Sequence, residues 1–158
     1  MTLPATPLIL NATDIAKLIP HHGDMCLLAG VLHYDAQTIS CTAISHRSLT
    51  NPLRENGILH AVCGVEYAAQ AMAVHGALLA GQSDRPPRGG RLAGVRSVEM
   101  RVSRLDDIAC DLTVHAHYSM GDENTMVYEF SVDAQDSNLL KGKATVVLMP
   151  ASHHETTI

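Results

Sequence analysis

The stretch from Gly57 to Gly81 constrains this chain more than any other. It is rich in Ala, Leu and Met and contains no Pro, which predicts one long helix. The two glycines bracket it where helix punctuation is expected. Its polar content is confined to His60, Glu66, Tyr67, Gln70 and His75. A helix apolar on nearly all sides is buried on more than one face, so the rest of the chain has to cover it. Within that apolar body Glu66 and Gln70 stand four apart, about 40° from each other around the axis. A carboxylate seldom sits in such surroundings unless it is paired or has chemical work.

The flanking sequence supplies strands. Residues 1 to 10 read as an extended lead-in, and Thr13 or Asn11 caps a short helix over Asp14 to Ile19 that Pro20 ends. Met25 to Tyr34 is an apolar run suited to a buried strand, and Thr38 to Ser45 alternates well enough to return beside it. Ser48 to Asn56 is a polar loop. Beyond the long helix, residues 82–90 form the clearest loop in the chain. Strands are then expected over Leu92 to Val102, Ala109 to Met120, Asn124 to Asp133 and Leu139 to Met149. Their alternation puts Leu112, Val114, Tyr128 and Phe130 on one face and His115, His117, Glu129 and Lys143 on the other. Half-wet strands of this kind are antiparallel by default. The sum is an α+β architecture in which a single antiparallel sheet of at least five strands wraps one long central helix.

With 158 residues the chain reads as a single domain over 1–150 and a flexible tail over 151–158. Aromatics at 3%, with no Trp, speak against stacking platforms for nucleic acid, and a net charge of -5 speaks against nonspecific nucleic-acid binding. Pro4, Pro7 and Asn11 come too early for a secretory signal or a membrane span, so no membrane association and a cytoplasmic location are expected. Cys26, Cys41, Cys63 and Cys110 are scattered through apolar runs and read as buried thiols. The ten histidines include no H-E-x-x-H; pairs such as His21-His22 and His153-His154 are close only in sequence. No metal site and no cofactor are expected.

Three motifs carry a resemblance. Leu18-Ile-Pro-His-His22 followed by Met25-Cys-Leu-Leu28 resembles the opening of the β-hydroxyacyl-acyl carrier protein dehydratases. Val65-Glu-Tyr-Ala-Ala-Gln70 is similar to their Glu-x-x-x-Gln helix signature, and Leu92-Ala-Gly-Val95 to their Leu-Ala-Gly-Ile strand. The trio falls in the family's order across residues 13–149. On Asn51-Pro52-Leu-Arg54 and the run from Glu66 to His75, the chain most resembles the dehydratase-like proteins of aryl polyene and related polyketide-type pathways.

That resemblance implies a hotdog fold and a 3-hydroxyacyl thioester substrate, on acyl carrier protein or coenzyme A. It further implies fatty acid or polyketide-type biosynthesis, and a homodimer or a heterodimer with another hotdog protein. A sheet that wraps a helix keeps open edges, and pairing of the first strands of two subunits is one way to cover them. Glu66, Gln70 and His22 are the candidate catalytic residues. Asn51, the backbone N–H of Gly94 and Arg96 are the candidate substrate contacts. Arg96 belongs to a cluster of Arg85, Arg88, Arg91, Arg96, Arg101 and Arg104, which suits an acidic carrier or a phosphate, or a solvated face equally well. One departure matters. The family's His-Phe-Pro-Gly, which carries the base for the α-proton, is replaced by Ser48-Leu-Thr-Asn-Pro-Leu-Arg54, and neither Asn51 nor Pro52 can act as a base. A thioesterase, or a noncatalytic subunit paired with an active hotdog partner, therefore stands beside the dehydratase. An interface ion pair is the alternative for Glu66.

Overall fold

The computed structural model describes residues 7–83 and 88–150. In chain order the elements are β1 (Leu10–Asn11), α1 (Ala12–Ala16), β2 (Gly30–Tyr34), β3 (Thr38–Ala43), α2 (Gly64–Gln82), β4 (Gly90–Met100), β5 (Leu112–Gly121), β6 (Thr125–Ala134) and β7 (Ser137–Leu148). The strands form one sheet in the order β1-β2-β3-β5-β6-β7-β4, antiparallel throughout. The register builds the core directly. Val31, Cys41, Val114, Val132 and Leu140 face one another across five strands, and each is wholly buried. Tyr67, Ala68, Ala71 and Val74 of α2 are buried in the same core. Burial in that row pushes the Cys41 thiol up to about 12.

The long helix starts later than its composition predicts. Residues 55–58 are a tight hairpin: Glu55 and Ile58 exchange both backbone hydrogen bonds, at 2.9 and 3.0 Å, around Asn56 and Gly57 at φ of 51° and 78°. Asn-Gly is the pair that tolerates two successive positive φ values, so Gly57 closes a turn and does not open a helix. The chain then runs beside 103–105, with Ala61 donating to Ser103 and Leu105 donating to Leu59. A 3-10 turn over Ala61–Cys63 leads into α2 at Gly64. A Cβ at Gly64 would lie 2.5 Å from a Leu140 methyl, so the helix can settle this closely on β7 only without a side chain there.

Other expectations shift by less. Asn11 caps α1 through a reciprocal pair with Asp14, and Thr13 lies inside the helix. The predicted strand from Met25 shortens to Gly30–Tyr34, because a 3-10 turn occupies Gly23–Met25 and Leu27 leaves the ladder. Leu27 instead donates its N–H to Gln70 and offers its C=O to Ser45. The lead-in contributes the short edge strand β1. The sheet covers one side of α2 and leaves Ala73 exposed on the other. No helix among the described residues is long and apolar enough to cross a membrane. Arg85 and the expected tail over 151–158 lie outside the described residues.

Candidate active site

The uncovered side of α2 faces a cleft of about 380 Å³. Glu66, Ala69, Ala73, Gly76 and Ala77 line it from the helix, at spacings that keep them on one face. From Glu66 to Ala77 that face runs about 16 Å. Leu92, Met126, Tyr128, Val146 and Leu148 form the opposing wall. Leu18, Pro20 and His21 close the end near Glu66. Among the described residues Glu66 is the single carboxylate of the lining, with 39% of its side chain accessible, and it looks onto a largely aliphatic space. Arg88 and Arg91 also line the cleft. The Arg88 guanidinium donates to neutral acceptors, the carbonyls of Met149 and Glu123 and the side chain of Asn124.

Gln70 assembles the Glu66 end. It is fully buried, and both halves of its amide are committed: Oε1 accepts the Leu27 N–H at 2.9 Å, and Nε2 donates to the Met25 C=O at 2.6 Å. The Cys26 thiol donates to the His21 C=O at 3.1 Å. These bonds hold the 21–27 segment against α2. His21 Nε2 then lies 3.6 Å from Glu66 Oε1. Deeper in the cleft wall, Tyr128 donates its hydroxyl to His75 Nδ1 at 2.8 Å, and His75 Nε2 donates to the Asp35 C=O at 2.8 Å. The carbonyl can only accept, so the proton sits on Nε2. Burial pushes His75 below its ordinary pKa and pushes the Tyr128 phenol up.

The structure separates the sequence-predicted residues. Glu66 lines the cleft; Gln70 supports it from behind. His22 is exposed at the start of the 3-10 turn, and its neighbour His21 is the imidazole that meets Glu66. Asn51 is buried in a closed network, donating to the Ser45 C=O and the Tyr67 hydroxyl and accepting the Leu53 N–H. Gly94 and Arg96 lie on β4 opposite Thr145 and Lys143, outside the cleft lining, with a register shift falling between Leu92 and Gly94. His60 sits before α2, exposed and 4.0 Å from Glu55. His21 is the cleft residue that sequence reasoning passes over, although Pro20-His21-His22 marks the place. The Ala69, Ala73 and Gly76 floor is also readable, at steps of three and four from Glu66.

A larger hollow of about 710 Å³ lies on the outer face of the sheet. There Ser40 Oγ meets His115 Nδ1 at 2.8 Å, and His115 Nε2 meets Asp133 at 3.4 Å. The wiring resembles a nucleophilic triad. Ser40, however, is paired on both sides, to His33 and His115, so its strand offers no free N–H groups for an oxyanion. The lysines of the hollow are neutralised in place, Lys141 by Glu99 at 3.6 Å and Lys143 by Glu129 at 3.9 Å. The Glu66 cleft, smaller but with one carboxylate facing apolar space, is the better candidate. Among the described residues no cluster of His, Cys, Asp and Glu side chains could hold a metal ion.

Solved structures share this architecture. The dehydratase heterocomplex ApeI:P from Xenorhabdus doucetiae matches with a TM-score of 0.77 at 20% identity, over 85% of this chain and 90% of that one. An HP0420 homologue from Helicobacter felis matches with a TM-score of 0.59 at 12% identity, over 97% of each chain. A hypothetical thioesterase protein with coenzyme A from Streptococcus pneumoniae matches with a TM-score of 0.54 at 16% identity, over 75% of this chain and 84% of that one. At such identities the likeness is one of fold, and the fold is the hotdog. No curated protein matches the chain by sequence. A family profile described as ApeP-like, ApeP dehydratase, matches residues 13–157, and the chain belongs to that family of hotdog acyl-thioester-processing proteins.

Proposed function

We propose that the chain takes part in the dehydration of 3-hydroxyacyl thioesters, with Glu66 moving the proton. The observation that carries this reading is the cleft: one carboxylate at the end of an aliphatic trough that runs about 16 Å along α2. An acyl chain suits that trough, and its C2 and C3 would then stand at Glu66. Arg88 and Arg91 suit the phosphate of a pantetheine arm, which both acyl carrier protein and coenzyme A carry. Gln70 serves this site by holding the 21–27 segment, since its amide is buried with one bond from each end committed to that segment. To test it, purified protein is given a 3-hydroxyacyl and a saturated acyl thioester. Water loss from the first supports the reading. Release of free thiol from the second, without dehydration, would make the protein a thioesterase.

A second subunit fits the same reading. Strand β4 has 11 residues and β7 as its one neighbour among the described residues, and Leu92, Val95 and Met100 are exposed along it. Such an edge invites pairing with another strand. The other edge of the sheet is closed by the 2 residues of β1, which favours β4 over the first strands as the joining edge. The likeness to a solved dehydratase heterocomplex favours a partner hotdog chain over a second copy. Light scattering of the chain alone and mixed with such a partner distinguishes the two; a monomer under both conditions would remove the subunit reading.

A further inference from the structure

We propose that His21 is a positioning residue for Glu66, holding Oε1 so that Oε2 faces the substrate. The inference rests on the reading of Glu66 as the proton-handling group of the site. His21 Nε2 stands 3.6 Å from Glu66 Oε1, a gap that a small side-chain rotation closes to a hydrogen bond, and both residues line the cleft. Hydrogen bonds of this kind are often long before substrate binds.

The other ring nitrogen fixes the direction of the bond. His21 Nδ1 is buried and has no hydrogen-bond partner among the described residues. An orphaned N–H in such a place is more costly than an orphaned lone pair, so the proton belongs on Nε2, pointing at Glu66. The ring is held there from its own backbone by Cys26 and, further along the segment, by the Gln70 clamp on Met25 and Leu27. His22, one residue on, is exposed and makes none of these contacts.

The assignment makes Glu66 a base that also returns its proton. Oε2 takes the proton from C2, and the C2–H electron pair becomes the C2=C3 double bond. The C3–O bond breaks, and the hydroxyl leaves as water with the proton that Glu66 gives back. C2 and C3 are about 1.5 Å apart, so one carboxylate reaches both positions. Glu66 begins and ends as a carboxylate, His21 keeps its Nε2 proton throughout, and no other reactant is needed.

The test combines nitrogen NMR of histidine-labelled protein with the kinetics of His21→Ala and His21→Gln. The expected spectrum places the His21 proton on Nε2 and changes in Glu66→Gln. His21→Ala should lower kcat at least about tenfold, the worth of one hydrogen bond to a charged group, and leave KM unchanged. His21→Gln should restore most of that loss, because its amide nitrogen stands the same number of bonds from Cβ. Circular dichroism confirms that both variants fold. A proton on Nδ1, a Gln variant as slow as the Ala variant, or an Ala variant equal to wild type would each overturn the proposal. A wild type inert on every 3-hydroxyacyl thioester, alone and with a hotdog partner present, would remove the dehydratase reading instead, while the spectrum still decides whether His21 donates to Glu66.

Discussion

Glu66 and Gln70 lie one helical turn apart on α2, and the same short segment of chain, residues 21–27, meets both of them. Gln70 takes the backbone at Met25 and Leu27; Glu66 takes the imidazole at His21. One residue braces the segment and the other faces the cleft. The four-residue spacing is what allows a single pass of the chain to reach both.

Replacing Gln70 therefore affects folding before it affects chemistry. Gln70→Leu keeps the volume and leaves the Leu27 N–H and the Met25 C=O buried without partners. Two such orphans cost about 3 kcal/mol together. Urea denaturation should show a lower midpoint by that amount with an unchanged slope. A stability equal to wild type would mean that the 21–27 segment is held by other contacts.

Gly57 gives a prediction with an unambiguous sign. Its φ of 78° belongs to a turn, so Gly57→Ala should destabilise the protein by about 1 kcal/mol. Were Gly57 the first residue of the helix, the same change would stabilise it, because Ala is the better helix former. Thermal melts of the two proteins separate the cases.

These residues also mark how far the sequence can be read. The alternation of Leu112, Val114 and Ala116 against His115 and His117 is enough to predict the strands and their buried face, because period two is a local property. The Glu66–Gln70 spacing points to the helix as the candidate site for the same reason. Asn56-Gly57 is equally local, yet the apolar run behind it draws the helix forward over a hairpin signal. His21 and His22 cannot be told apart in sequence. Which of them meets Glu66 depends on the clamp between Gln70 and Leu27, a contact spanning 43 residues. Asn51 is expected at the substrate from its place in the loop, and only the fold reveals that Ser45 and Tyr67 use up its side chain.

The buried imidazoles set the response to acid. Burial pushes His46 and His75 below the ordinary value near 6.5, against the pull of the carbonyls of Ile108, Cys110 and Asp35. The unfolded chain then binds these protons more readily, and stability rises with pH across the interval. The stabilisation is present above about pH 6.5 and is lost as pH falls through the folded values. Urea midpoints should fall between about pH 7.5 and about pH 5.5, and His46→Gln should flatten the slope. A midpoint that holds or rises in acid would contradict this.

Gly76 offers a test of what lies in the cleft. A Cβ there meets nothing within 4 Å among the described residues, so none of their packing requires a glycine in the middle of α2. Gly76→Ala should stabilise the helix by about 1 kcal/mol. Gly76→Leu should spare turnover of short acyl thioesters and depress that of long ones, read as kcat/KM across a chain-length series. An equal effect at all lengths would place the acyl chain elsewhere.

The most direct test of the central claim is exchange of the C2 proton. A 3-hydroxyacyl thioester is incubated in deuterated buffer with wild type or Glu66→Gln, with the hotdog partner present if the chain requires one. The substitution keeps the shape and the hydrogen-bonding capacity of Glu66 and removes its ability to carry a proton. Wild type should incorporate deuterium at C2 and form the enoyl product, and Glu66→Gln should lose both by at least about a hundredfold while melting at the wild-type temperature. Full exchange by Glu66→Gln would show that another group takes the proton and that Glu66 is not the proton carrier.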